Sequence, residues 1–233
     1  MMKVSQFRSL IANMPVAYQA FASKRSIWAS HENRNDNAGD AMRAIFGTSR
    51  EVTLSRSDLR SLANKPDLAQ FVMATIIWGY PRGMRGNHVD NVISHLTSLT
   101  QLLSDARAKP VIEWVTHYAK VRPIGGIGLS TYTKLLSFLS VQVQGHTALI
   151  LDDRIIQVVK RGIFEELAPL QKLNSYKAPH WYPQYLECIH GLAENLEVSP
   201  ENIEFFLFEF GLHLKVPPAL EVAPTNLPQA AFP

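Results

Sequence analysis

The chain predicts an all-α protein, and three observations carry that prediction. Apolar residues recur at three- and four-residue spacing along most of its 233 residues, whereas alternating apolar–polar runs are hard to find. The run Phe71-Val-Met-Ala-Thr-Ile-Ile-Trp78 is apolar nearly all round, as a helix at the centre of a fold must be. Breaks rich in glycine and proline, at residues 79–86 and 123–128, separate such segments.

In chain order, residues 4–13 and 15–28 read as short helices. Residues 31–40 (HENRNDNAGD) are polar and Asn-rich and read as a loop, with a brief helix at 41–46. Residues 53–64 form a helix whose N-cap is Ser55 or Ser57. Residues 66–80 form the central helix, with Pro66 suited to a first turn. The basic, glycine-bearing loop 79–86 ends it. Helices follow at 88–103, 111–120 and 130–139, then a loop through Gly145 and His146 and a helix from 152 to 167. Residues 172–182 look irregular, and helices at 183–196 and 200–213 complete the pattern. The tail 216–233, with five prolines and no periodicity, is expected to be extended or disordered.

A hydrophobic content of 46% is ample for a core, and 233 residues fit one compact unit or two small lobes. The net charge of +3 suits an anionic partner but does not single one out. One cysteine, Cys188, permits neither an internal disulfide nor a four-cysteine metal site. The expectation is therefore a reduced, cytoplasmic setting. No apolar run approaches the ~20 residues of a membrane span, and no signal-like segment opens the chain.

The segment Pro123-Ile-Gly-Gly-Ile-Gly128 reads as a turn between two helices. Glycines let backbone N–H groups approach a ligand without a Cβ in the way. Consecutive N–H groups beside a helix N-terminus make an anion site, suited to a phosphate. Gly125, Gly126 and Gly128 supply the turn, and Ser130 and Thr131 add hydroxyls that donate or cap. A tight corner with no ligand is the plain alternative. Some twenty residues on, Leu151-Asp152-Asp153-Arg154 opens another helix. Asp152 is a natural N-cap. Beside a phosphate grip it is also a carboxylate able to stabilise positive charge on a sugar. Asp153 reads as a first-turn dipole or salt-bridge partner.

Here the chain resembles the helix-hairpin-helix (HhH-GPD) DNA glycosylases, whose signature is Leu-Pro-Gly-Val-Gly, a helix, a loop and an aspartate opening the next helix. Ile124-Gly125-Gly126-Ile127-Gly128 stands in the hairpin's place, with Gly125 where proline is usual. Leu129-Ser130-Thr131 and Ala148-Leu-Ile-Leu-Asp152 are similar to the adenine-glycosylase branch. Asp152-Asp153-Arg154-Ile155 is more loosely similar to the Asp-x-Arg-Val of bacterial 8-oxoguanine-glycosylase-like proteins. The specific match covers roughly residues 110–160.

The resemblance implies a DNA N-glycosylase with Asp152 as its catalytic carboxylate, acting on duplex DNA with an extruded base. It implies two helical lobes: residues 66–151 around the hairpin, and a discontinuous lobe of 1–65 and 152–215. Members that also cut the strand carry a lysine two residues after the last hairpin glycine. Ser130 stands there, implying a monofunctional enzyme. Lys134, one turn further along the same face, reads as a surface lysine or phosphate contact, with an imine-forming role as the alternative. No organic cofactor is implied; a monovalent cation on hairpin carbonyls is a feature the family often has.

Other candidates have plainer readings beside them. Arg82, Arg85 and Asn87 suit phosphate contact or filling the gap left by an extruded base, or simply end a helix. Trp78 reads as core before base stacking, and His146 as a loop residue or a secondary site group. His88 and His95 lack partners at metal spacing, so no side-chain metal site is expected. Glu165, Glu166 and the acidic residues 201–209 read as solvated helix faces. Two other functions fit the same features: a defence glycosylase excising modified bases from phage DNA, and a non-catalytic DNA-binding protein using the hairpin as a phosphate grip.

Overall fold

The computed structural model describes residues 1–34 and 36–215. A 3₁₀ turn at Val4–Phe7 leads into α1 (Arg8–Ala12), and a second at Val16–Tyr18 into β1 (Ala20–Lys24). Then come α2 (Arg25–Glu32), α3 (Asn37–Phe46), β2 (Glu51–Ser55), α4 (Arg56–Ala63), α5 (Ala69–Gly79), α6 (His88–Ser94), α7 (Leu96–Ala108) and α8 (Trp114–Ala119). A glycine turn precedes α9 (Leu129–Phe138), a small hairpin of β3 (Gln142–Val143) and β4 (His146–Thr147), and α10 (Asp153–Arg161). A 3₁₀ stretch at Glu165–Leu170, α11 (Ala178–Leu196) and α12 (Pro200–Phe210) follow. The protein is all-α in class, as the periodicity predicts; the tail 216–233 lies outside the described residues.

Helix α5 is the axis of the core. Phe71, Val72, Met73, Ala74, Ile76 and Ile77 are all buried, and α3, α4, α9 and β1 pack around them. Each large apolar side chain so buried contributes about 1.5–3 kcal/mol, and an all-round apolar helix can be stable only in that position. A continuous apolar cluster runs from Met2 near the start of the chain to Leu207 in α12. At the head of α4, Ser55 accepts the Asp58 N–H while the Asp58 carboxylate accepts the Ser55 N–H, a reciprocal cap.

The structure departs from the sequence reading in five places, each with a local cause. Residues 20–24 are strand, not helix: β1 pairs antiparallel with β2 from Ala20 opposite Ser55 to Lys24 opposite Glu51. Only Ser23 and Leu54 of the pair are fully buried, so the apolar alternation that betrays a strand is missing. The polar stretch 31–40 is mostly helical, because Asp36 caps α3 by accepting the Gly39 N–H at 3.0 Å. The helix expected at 88–103 is two, broken at His95, whose Nδ1 lies 2.8 Å from the Asn91 carbonyl oxygen. Helix α10 stops at Arg161 because Gly162 takes the left-handed conformation at φ 62°. Helix α11 starts at Ala178, with Pro179 in its first turn, where the missing N–H costs least, and carries Pro183 inside the helix, where one i→i−4 bond is lost.

Candidate functional site

The turn between α8 and α9 is built from backbone. The Ile124 N–H donates to the Val121 carbonyl at 2.8 Å and the Ile127 N–H to the Ile124 carbonyl at 3.3 Å. Gly126 stands at φ 85°, and a Cβ there would lie 2.3 Å from the His88 carbonyl oxygen. Glycine alone satisfies both the conformation and the contact. Gly128 caps α9 without a side-chain hydrogen bond, and nothing lies within 4 Å of where its Cβ would be. The leading N–H groups of α9 thus have no capping side chain and keep the positive end of the helix dipole uncovered. Beneath the turn, His117 of α8 and the Tyr132 hydroxyl of α9 share a buried hydrogen bond that ties the two helices together. Burial, aided by Lys120 and Lys109, pushes His117 down to about 4, so the ring is neutral.

The loop after α5 faces this turn. Tyr80, Arg85 and Arg122 line one groove with the backbone of residues 124–128. The Tyr80 hydroxyl lies 2.8 Å from Thr131 Oγ1, fastening the loop to α9. Arg85 and Arg122 are exposed, as are Arg82 and Asn87 on the same loop. Thr131 is buried, so its hydroxyl serves the fold rather than a surface.

A second concavity of about 140 Å³ lies beside the groove. Its walls include Phe21 from β1, Trp78 at the end of α5, Lys134 from α9, Asp152 at the head of α10, and Glu204 and Phe208 from α12. Trp78 sits edge-on to Phe21 at 5.2 Å and to Phe138 at 5.4 Å, so core and cavity-wall roles coincide in one ring. Asp152 is half-buried. Its Oδ1 accepts the Ile155 N–H at 3.1 Å, and Oδ2 takes no hydrogen bond from a described residue. The N-cap and the cavity carboxylate are therefore the same side chain, held rigidly by the helix it starts.

Behind Asp152 is a buried charge network. Arg56, 1% exposed, donates from both terminal nitrogens to the Glu204 carboxylate at 3.0 Å each, and its Nε donates to Gln19 Oε1 at 2.7 Å. Glu204 is 0% exposed. Burial pushes its carboxyl up while Arg56 opposes the rise. The expectation of a solvated face at 201–209 is thus corrected: Glu204 points inward, and Glu201 pairs with Arg60 at 2.5 Å. The expectation of a surface position for Lys134 is also corrected, since it is 8% exposed.

The structure therefore brings Asp152, Trp78 and Lys134 to one cavity, and Gly125, Gly126, Gly128 and Arg85 to the adjoining groove. Ser130 touches the cavity side through its contact with Lys134, with Nζ 2.6 Å from Oγ. Arg82 and Asn87 line neither concavity. His146 lies in β4 with its ring 4.9 Å from that of His190, apart from the cavity wall. Gln19, Phe21, Arg56, Glu204 and Phe208 also line the cavity and were not legible, because they come from segments separated by as many as 189 positions. A pairing signal for β1 with β2 would have placed the first three.

Against known families, residues 15–208 match the family described as "Putative 8-oxoguanine DNA glycosylase OGG-like protein", and the chain belongs to that family. No curated protein and no solved structure matches it. The family implies DNA as the partner, in agreement with the resemblance carried by the hairpin and Asp152.

Proposed function

We propose that the protein is a DNA N-glycosylase that releases a damaged or modified base from an extruded nucleotide. The observation that carries this reading is the position of Asp152, whose carboxylate is fixed by α10 in the wall of an aromatic-sided cavity next to an uncapped helix start. An apolar cavity near 150 Å³ accepts a benzene-sized ring, so about 140 Å³ accommodates the ring of a base. Extrusion is needed because no side chain can reach the glycosidic bond's far face within a stacked duplex.

In this scheme the groove residues hold the strand. The N–H groups leading α9 take a phosphate, and Arg85 and Arg122 add screened charge. Phe21, Trp78 and Phe208 enclose the extruded base. As the C1′–N bond breaks, the base leaves with the electron pair and the sugar becomes cationic; Asp152 stabilises that charge and directs water to C1′. Removing one such preorganised group costs about 10²–10³ in rate. The proposed two-lobe division fits the cavity, whose walls come from residues 19–56 and 152–208 on one side and 78–150 on the other. Ser130 in the hairpin helix supports hydrolysis as the reaction of Asp152 itself. The scheme needs no organic cofactor.

The test is a panel of duplex oligonucleotides carrying 8-oxoguanine, uracil, alkylated purines, adenine opposite 8-oxoguanine, or hypermodified cytosines. Each is incubated with the protein and developed with and without alkali, which cleaves abasic sites. The expected result is base release on at least one substrate. Salt-sensitive binding with no product on any substrate would replace this reading with the non-catalytic one.

A further inference from the structure

Another concavity, of about 270 Å³, shares Arg122 with the hairpin groove. Trp114, Val115 and Tyr118 of α8 line it together with Tyr176 and His180 from the chain around the start of α11. Trp114 and Tyr118 lie one helical turn apart and stack, with ring centroids 4.8 Å apart and planes inclined by 19°. The Trp114 Nε1–H donates to the Pro179 carbonyl, which ties α8 to α11 at this place. Tyr176 is 91% exposed and Val115 70%, so two of the three most exposed large apolar side chains among the described residues meet here. The loop that carries Tyr176 is pinned on both sides of it. Ser175 Oγ donates to Asp153 Oδ1 at 3.0 Å, and the Lys177 N–H donates to Asn174 Oδ1 at 3.0 Å. Asp153 follows Asp152 in the chain, so the exposed ring is held near the head of the helix that Asp152 caps.

A ring this exposed adds little burial energy to the fold. Its surroundings say what it meets. Residues 114–122 and 172–182 carry Lys120, Arg122, Lys172 and Lys177, all exposed, and no acidic residue, on a chain whose net charge is +3. Positive charge interleaved with ring faces is what a single nucleic-acid strand requires, since the charge tracks the phosphates and the rings stack on the bases. A duplex meets only the first of these, because its base faces are already stacked on one another. The concavity has room for one unpaired base, as a space of about 150 Å³ accepts a benzene-sized ring.

We infer that this pocket stacks an unpaired base of the strand held in the hairpin groove, so that the preferred substrate class is DNA that is single-stranded on one side of the gripped nucleotides. The inference rests on the glycosylase reading for the strand in the groove. Tyr176 supplies the free ring face, and the Trp114–Tyr118 stack forms the wall behind it. Arg122, common to both concavities, meets the phosphate that links the gripped stretch to the stacked base.

The test uses the full chain and lesion-free oligonucleotides, so that the identity of the excised base does not enter. Binding is measured at one fixed salt concentration for a full duplex, for the same duplex with a 3′ or a 5′ thymidine overhang, and for the same overhangs built of abasic spacers. Wild type is expected to bind one thymidine-overhang duplex about tenfold more tightly than the full duplex, and the abasic spacers to abolish the gain. Tyr176→Ala is expected to lose the gain and keep full-duplex affinity within about twofold, whereas Tyr176→Trp keeps the gain. If a variant fails to fold, the abasic comparison on wild type still decides. Equal affinity for overhang and full duplex, a gain that survives the abasic spacers, or an equal loss on every DNA in Tyr176→Ala overturns the inference. Base release from the damaged-oligonucleotide panel with no overhang preference would leave the glycosylase reading standing and remove only the pocket's role. An overhang preference with no base release would keep the pocket and remove the chemistry, and no binding to any of these DNAs would remove both.

Discussion

The hairpin groove and the cavity beside it are built by different means. The groove is made of two short stretches, residues 80–88 and 122–128, and the atoms that would grip DNA in the proposed scheme are backbone N–H groups and exposed guanidinium groups. The cavity takes its walls from residues 19 to 208, and its polar groups are side chains, with Arg56, Lys134 and Glu204 buried and Asp152 half-buried. A backbone grip depends on glycine and helix geometry, which act locally. A buried polar wall depends on distant segments meeting with every hydrogen bond satisfied. The groove should therefore tolerate change and affect binding broadly, whereas the cavity should be brittle and affect chemistry.

The contrast can be broken first at the charge network. Glu204→Ala leaves Arg56 buried without its partner, and removing one member of such a pair costs about 3–5 kcal/mol. Chemical denaturation at neutral pH measures it. A loss below about 1 kcal/mol would mean that water reaches Arg56 freely and the wall is not closed.

A second test lies under the groove. His117 has a folded pKa of about 4 against an ordinary value of 6.5. Between those values the unfolded chain binds a proton that the folded chain refuses, so stability is full above pH 6.5 and falls as pH drops toward 4. The contribution of this one group is about 3 kcal/mol, at 1.36 kcal/mol per unit. His117→Gln should flatten that part of the stability–pH curve. An unchanged curve would show that His117 is solvated in the folded state.

The smallest effects separate two glycines that lie only two positions apart in sequence but differ in conformation and surroundings. Gly126→Ala meets both a positive φ and the His88 carbonyl, and should cost roughly 1–3 kcal/mol with a matching loss of DNA affinity. Gly128→Ala has a permitted φ of −83° and open surroundings, so it should change stability by less than about 0.5 kcal/mol. Equal effects at the two positions would contradict the packing described for the turn.

The same division governs what could be read from the sequence. The glycine turn, the apolar axis at 71–78, the Ser55 cap and the aspartate opening α10 are local patterns, and each occupies its expected place. The strands β1 and β2 bury too little to alternate, so the sequence hides the element that brings Gln19, Phe21 and Arg56 to the cavity. Glu204 and Lys134 look like solvated charges because nothing in a single sequence distinguishes a buried charge from an exposed one. Only the fold shows that Glu204 meets Arg56, 148 positions away, and that Lys134 folds back over its own helix.

The central claim is that the groove grips DNA while Asp152 in the cavity does the chemistry. The most direct measurement is the binding constant and the single-turnover excision rate of Asp152→Asn on the duplex that wild type processes. Asparagine still caps α10, so the fold and the groove are preserved. The account predicts binding within about twofold of wild type and a rate lower by about 10²–10³. An unchanged rate, or a rate that falls only as far as binding does, would contradict it.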